Sequence, residues 1–202
     1  MADRYSSFAE LAQHERAGID YRFFARRALP DVCVVAPHGG GIEPGTSELA
    51  VAIAGQDRSL YVFEGLKRTN NGDLHITSAR FDEPICLGLI AECDTVVTLH
   101  GESSDGDVQV VFLGGRDAVL GERVREALEL AAFEVRVHPD PRLQGLEPLN
   151  LCNRGRSGAG VQLELSRGLR RSFFHSLSAQ GREQPTPRFA HFVEAVASAL
   201  NG

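Results

Sequence analysis

The chain contains no run of about eighteen consecutive apolar residues, the minimum for a membrane-crossing helix, so no membrane span is expected. Its first residues, MADRYSSFAELAQHERAG, alternate acidic and basic side chains and lack the apolar stretch of a secretory leader. A cytoplasmic protein is therefore expected. Positive charge is in short supply: 21 Lys and Arg against 27 Asp and Glu leave a net charge of -6, which argues against nucleic acid as the main partner. The four cysteines, at 33, 86, 93 and 152, form no C-x-x-C pair and show no short metal-binding spacing. That argues against a zinc ribbon and, in a cytosolic chain, against disulfides. Cys33 stands inside an apolar run and reads as a buried thiol acting as a small hydrophobe. H-E-x-x-H, G-x-G-x-x-G and the G-K-[ST] ending of a P-loop are all missing, and no internal repeat is evident.

What is present fits one α/β domain over residues 1–202, with 43% hydrophobic and 24% charged residues. A short helix is expected over 6–15, with Phe8 and Leu11 on one side. Residues 32–36 form a brief β-branched run suited to a buried strand, which Pro37 stops. A helix capped by Thr46 or Ser47 follows the glycine-rich loop and ends at Gly55. Strands are predicted at 60–63 and 74–77, joined by a turn around Asn70-Asn71-Gly72, and then a helix over 82–92. Further strands are predicted at 95–99, 108–113, 133–137 and 161–165. A strong amphipathic helix spans 116–132, with Val119, Leu120, Val124, Leu128 and Ala131 along one face. A long loop covers 138–156, residues 166–186 are expected to wrap the surface, and a closing helix covers 188–200. The expected architecture is a single domain with a mixed, mostly parallel sheet and helices on both faces.

The polar residues at strand ends carry the chemical interest. His38 follows one predicted strand and His100 another, and in open α/β sheets sites form at the carboxyl ends of strands. Glu43 lies beyond Gly39, Gly40 and Gly41, which let the backbone fold back so that His38 and Glu43 meet at one point. Two imidazoles and one carboxylate suit a catalytic zinc with one position left for water. The same glycine loop could instead merely orient a histidine, or cradle phosphate on backbone amides. Glu164 sits among Val161, Leu163 and Leu165 on the face that carries Gln162. It could be a solvent-facing glutamate on an edge strand, or a base beside the zinc-activated water. Arg154, Arg156, Arg167, Arg170 and Arg171 form a cluster that stands out in an acidic chain; a solvated face is the usual meaning, and recognition of an anionic substrate the sharper one. The histidines at 14, 75, 138, 175 and 191 show no paired spacing and read as surface or packing residues.

The segment Pro37-His38-Gly39-Gly40-Gly41-Ile42-Glu43-Pro44-Gly45-Thr46-Ser47-Glu48 resembles the poly-γ-glutamate hydrolase family. So do Phe63-Glu64-Gly65, His75-Ile76-Thr77-Ser78, Leu99-His100-Gly101 and the stretch from Arg154-Gly155 to Ser166. The resemblance implies a compact, distant relative of the zinc carboxypeptidase fold that binds one zinc ion. Its ligands would be His38, Glu43 and His100, its catalytic base Glu164, with Arg154 or Arg167 holding substrate carboxylates. The implied activity is hydrolysis of γ-glutamyl bonds in poly-γ-glutamate by an activated water, in a phage-related depolymerase acting as a monomer and reaching an extracellular polymer on lysis. Two other functions are compatible with the residues. One is a zinc amidase acting on a small N-acyl or γ-glutamyl compound or a cell-wall peptide; the other is a non-catalytic module that binds an anionic polymer or a phage partner.

Overall fold

The strands fall where β-branched and aromatic residues concentrate. They are β1 (Tyr21–Arg26), β2 (Leu29–Gly40), β3 (Arg58–Gly65), β4 (Thr95–Gly101), β5 (Val110–Gly115), β6 (Glu134–Arg136) and β7 (Val161–Leu165). The helices are α1 (Phe8–His14), α2 (Thr46–Ala54), α3 (Pro84–Ile90), α4 (Ala118–Leu130), α5 (Arg167–Ser172), α6 (Ala179–Arg182) and α7 (Pro187–Ala199). This computed structural model describes residues 3–103 and 106–201, so the ends of the expected 1–202 domain and positions 104 and 105 lie outside it. The strands form one sheet in the order β1-β3-β2-β4-β7-β5-β6. Neighbours are parallel except for β1 with β3 and β5 with β7. Among the described residues no helix is long and apolar enough to cross a membrane.

Successive side chains of a strand point to opposite faces, and along the central strands both sets are apolar. Val34, Ala36, Leu60, Val62, Val97, Leu99, Leu163 and Leu165 pack with Leu49 of α2, Leu120 of α4 and Phe192 of α7. Cys33, Val35, Tyr61, Phe63 and Val96 pack on the other side, with Leu11 of α1, Cys86 of α3, and Leu74 and Ile76. The mixed sheet covered on both faces is thus as expected, and all four cysteines are buried free thiols. The alternation also decides where the polar positions go. With Leu99, Leu163 and Leu165 committed to one core, His100, Gln162 and Glu164 project from the other face. The β4–β7 register sets His100 beside Glu164 and Thr98 beside Gln162. Glu164 is therefore not on an edge strand; β7 lies between β4 and β5, and the residue is 7% exposed.

Several local expectations need correction. Strand β2 does not stop at Pro37. It runs to Gly40, with a register shift against β3 between Ala36 and Gly39 that absorbs the residue lacking an N–H. His38 and His100 accordingly lie within β2 and β4 rather than after them. Residues 74–77 form no strand. Asn71–Leu74 is a 3₁₀ turn, and the following extended residues lie across the sheet, where side chains satisfy their backbone: Asp3 accepts from the Thr77 amide at 2.8 Å. The alternation of Leu74 and Ile76 reflects burial against the core rather than ladder pairing. Strand β1, to which the sequence reading assigns nothing, is an edge strand whose middle residues are exposed. Val119 of α4 points outward at 75% exposure, while Leu120, Val124 and Leu128 are buried. Residues 166–186 are not merely a surface wrap, since Phe173 and Phe174 enter the core between α5 and α6.

Arg170 of α5 faces inward and is 4% exposed. Its guanidinium donates to the carbonyls of Leu165 (Nε, 3.1 Å), Pro44 (Nη1, 2.8 Å) and Glu102 (Nη2, 3.0 Å). One side chain thereby ties together the ends of β7 and β4 and the loop after β2. Charged donors contribute more than neutral ones, and three buried carbonyls would otherwise lose their partner. Arg170→Met is expected to cost about 2 kcal/mol or more, lowering the thermal unfolding midpoint by roughly 4–8 °C, readable by calorimetry.

Candidate metal centre

The loop after β2 is shaped by its glycines and by hydrogen bonds that fold it back. Gly40 has φ +63°, and a Cβ there would come within 2.6 Å of the Gly65 carbonyl oxygen. The Glu43 amide donates to the His38 carbonyl at 2.8 Å, and Ser47 Oγ accepts from the Gly40 amide at 2.9 Å. The fold-back brings Glu43 Oε1 to 3.2 Å from His38 Nδ1. The other carboxylate oxygen is held by the Gly101 amide at 2.8 Å and lies 3.8 Å from His100 Nδ1. Gly101 is required here, because a Cβ would meet Arg170 Cζ at 2.6 Å and Glu43 Cβ at 2.8 Å.

His38 Nδ1 and His100 Nδ1 face each other at 3.2 Å. His38 Nε2 lies 2.8 Å from the Ile76 carbonyl oxygen, which can only accept, so the ring hydrogen of the neutral imidazole sits on Nε2 and Nδ1 carries a lone pair. His100 Nε2 is 3.1 Å from Ser78 Oγ. Imidazole lone pairs and a carboxylate gathered in a buried space repel one another unless a proton or a cation lies between them. The donor set of two imidazoles and one carboxylate fits zinc, and the outward ring nitrogens have the hydrogen-bond partners that fix metal-ligating histidines.

The titration behaviour agrees with this placement. Burial works against a charged His38, but the Glu43 carboxylate outweighs it and leaves the pKa raised. Burial pulls His100 down to about 3, with the neighbouring His38 and His75 in the same direction. Burial would raise Glu43, yet His38 and His100 bring it to about 2. Without a cation, a proton on His38 therefore takes its place. A cation at this site must displace that proton, because both bind the same lone pair. Zinc affinity is expected to fall by about tenfold per pH unit below the His38 pKa, with close to one proton released per ion bound. Calorimetry in buffers of different ionisation enthalpy checks this.

Glu164 stands beside His100 on β7. Its Oε1 accepts from Gln162 Nε2 at 3.2 Å; that amide also donates to the Leu143 carbonyl at 3.0 Å, and its oxygen accepts from Asn150 Nδ2 at 2.8 Å. Burial first, then the charges of Glu43 and Glu102, push the Glu164 pKa well above its usual value, against the pull of Arg170. A carboxyl raised in the folded state contributes nothing unfavourable below its unfolded pKa. It weakens the fold as pH rises and the buried group must ionise. In metal-free protein Glu164→Gln is thus expected to raise the unfolding midpoint at pH 8 by about 2 °C or more. The difference should close as the pH approaches 4, as thermal melts across that range would register.

The structure brings together His38, Glu43, His100 and Glu164. It does not gather the two arginines with them. Arg154 Nη1 donates to the Phe81 carbonyl at 3.2 Å, and Arg167 lines a separate cleft beside Pro44. His75, read from sequence as a surface or packing residue, belongs to the centre. Its ring lies 4.0 Å from that of His38, and its Nε2 is 3.8 Å from Glu43 Oε1. With Glu43 and His38 it offers a second set of ligand atoms, all within 4.8 Å of one another. His100 Nδ1 directly faces that of His38 at 3.2 Å, whereas His75 approaches the group through Nε2. Asp3 accepts from the Thr77 amide and pairs with Arg80, so it is anionic and takes the hydrogen of His75 Nδ1 at 2.7 Å. The cue for His75 and Ser78 was slight: polar residues beside the apolar Leu74 and Ile76, in a segment that looks like an ordinary strand.

Fold and site together define an α/β domain with a buried two-histidine, one-carboxylate cluster and a second carboxylate beside it. Residues 5–195 match the family model for poly-gamma-glutamate hydrolase. The chain is 37% identical over 196 residues to the UPF0714 protein YndL of Bacillus subtilis (strain 168), covering 96% of this chain and 76% of that one. It superposes on a bacteriophage poly-gamma-glutamate hydrolase with a TM-score of 0.94 at 33% identity, covering 98% and 96% of the two chains. A zinc-free form of YndL superposes with a TM-score of 0.93 at 36% identity, covering 100% and 98%. This chain belongs to the poly-γ-glutamate hydrolase family and is a hydrolase.

Proposed function

We propose that this protein hydrolyses γ-glutamyl amide bonds of poly-γ-glutamate, with one zinc ion held by His38, Glu43 and His100. The observation that carries the reading is the convergence of His38 Nδ1, His100 Nδ1 and Glu43 on one buried point, with Glu164 in register with His100. Zinc bound there supplies a Lewis acid that polarises an amide carbonyl and acidifies water. The Glu164 carboxylate takes the proton of the attacking water and delivers it to the departing amide nitrogen. Gln162 holds Glu164 through Oε1 and leaves its second oxygen for the water. A cation held by the three ligands would offset the burial and carboxylate charges that favour protonated Glu164, leaving the carboxylate that must accept the proton. Ile76 and Ser78 fix the outer nitrogens of the two histidines, so the ligands keep their orientation through turnover.

The substrate class follows from the family and from charge. A γ-linked chain carries one free carboxylate per unit, and forked guanidiniums match carboxylates. Arg167, which lines the cleft beside Pro44, is the arginine we assign to those carboxylates; Arg154 is held by the Phe81 carbonyl.

Purified protein incubated with poly-γ-glutamate should shorten the polymer; a chelator should abolish the shortening and added zinc restore it. Polymer that stays intact while one zinc is bound per chain would move the substrate to smaller amides. Glu164→Gln is expected to retain one zinc per chain by metal analysis and to lose about 10²–10⁴ of the turnover rate. Near-normal hydrolysis by the folded variant would remove Glu164 from the mechanism.

A further inference from the structure

Beside the metal centre lies a cleft of about 830 Å³ walled by Pro44, by α5 and by the turn that contains His175. Arg167 and Arg171 both line it. They stand four apart on a helix of six residues, which places two like charges on one face, an arrangement that weakens a helix rather than supporting it. Arg171 pairs with Asp107 at 3.2 Å, but the two side chains are 60% and 91% exposed, so solvent screens the pair and a stronger anion can replace it. The cleft is also anchored to the centre. Pro44 follows the ligand Glu43 directly, and its carbonyl is held by Arg170, the inward-facing residue of the same helix. Turning α5 so that Arg170 ties the loop therefore presents Arg167 and Arg171 outward at a fixed distance from Glu43.

We propose that this cleft is a subsite for the free carboxylates of polymer units several residues from the scissile bond, with Arg171 as its principal contact beyond Arg167. The proposal rests on the poly-γ-glutamate reading above. It predicts an enzyme that prefers long chains to short oligomers, because only a long chain reaches the cleft while its amide is at the metal centre. Attraction between a polyanion and exposed guanidiniums is screened by salt, so the preference weakens as ionic strength rises.

The test compares zinc-loaded wild type, Arg171→Ala, Arg171→Lys and the Arg167→Ala/Arg171→Ala double variant on a short γ-glutamyl oligomer and on poly-γ-glutamate. The ratio of kcat/KM for polymer over oligomer should fall by about tenfold in the double variant, chiefly through KM, with Arg171→Lys recovering part of it. An unchanged ratio in a variant that unfolds at the wild-type temperature would overturn the subsite. A second arm keeps the subsite separable from the reaction: binding of fluorescent poly-γ-glutamate to Glu164→Gln protein, with and without the two arginines, at increasing salt. Weaker binding and a shallower salt dependence without the arginines support the subsite even if the wild type cleaves neither substrate. Equal binding with and without them overturns it even if the polymer is cleaved.

Discussion

The parallel register between β4 and β7 is the constraint on which the rest of the site depends. It sets His100 beside Glu164, and strand alternation sends both away from the core that holds Leu99, Leu163 and Leu165. A slip of one residue would turn His100 and Glu164 into the opposite hydrophobic layer and bring leucines to their places. The register is protected by that same cost: each large apolar side chain contributes about 1.5–3 kcal/mol through burial, and both faces of the central strands are packed. The polar residues are located by the apolar ones around them.

Within that frame, His38 and Glu43 stabilise each other, while the buried Glu164 opposes folding once it must ionise. Glu43, Glu102 and Glu164 are gathered near two buried histidines, and the Glu164 pKa is raised by the other two carboxylates as well as by burial. Arg170 is the nearby cation, yet its hydrogen bonds go to three carbonyls, so it serves geometry first and charge second. A site of this kind is held in place by the remainder of the protein, and a divalent cation would relieve the repulsion that the fold imposes. Stability and chemistry pull in different directions here, as is usual where carboxyl groups are displaced from their ordinary pKa.

Much of the architecture was legible because its signals are local. The amphipathic pattern of α4, the apolar runs of β2, β4 and β7, and the glycine loop each report their own conformation. The errors came where local pattern and tertiary role part company. Leu74 and Ile76 alternate like a strand because they are buried, but the Ile76 carbonyl and the Thr77 amide bond to the side chains of His38 and Asp3 rather than to a ladder. Pro37 looked like a strand terminator, whereas a register shift accommodates it. Strand β1 has too few buried positions to show a pattern, and its pairing with β3 is what makes it a strand.

The sequence by itself determined the chemistry of the donors and the turns that aim them: His38 and Glu43 on either side of three glycines, His100 before Gly101, and Glu164 alternating out of an apolar strand. Covalent spacing and strand periodicity act over a few residues, so they can be read without the fold. Only the tertiary structure decided that His75, with Asp3 behind it, joins that centre, that Arg170 turns inward while Arg167 and Arg171 line a cleft, and that Arg154 bonds to Phe81. Those arrangements bring together residues distant along the chain, and their geometry exists only once strand order and register are set.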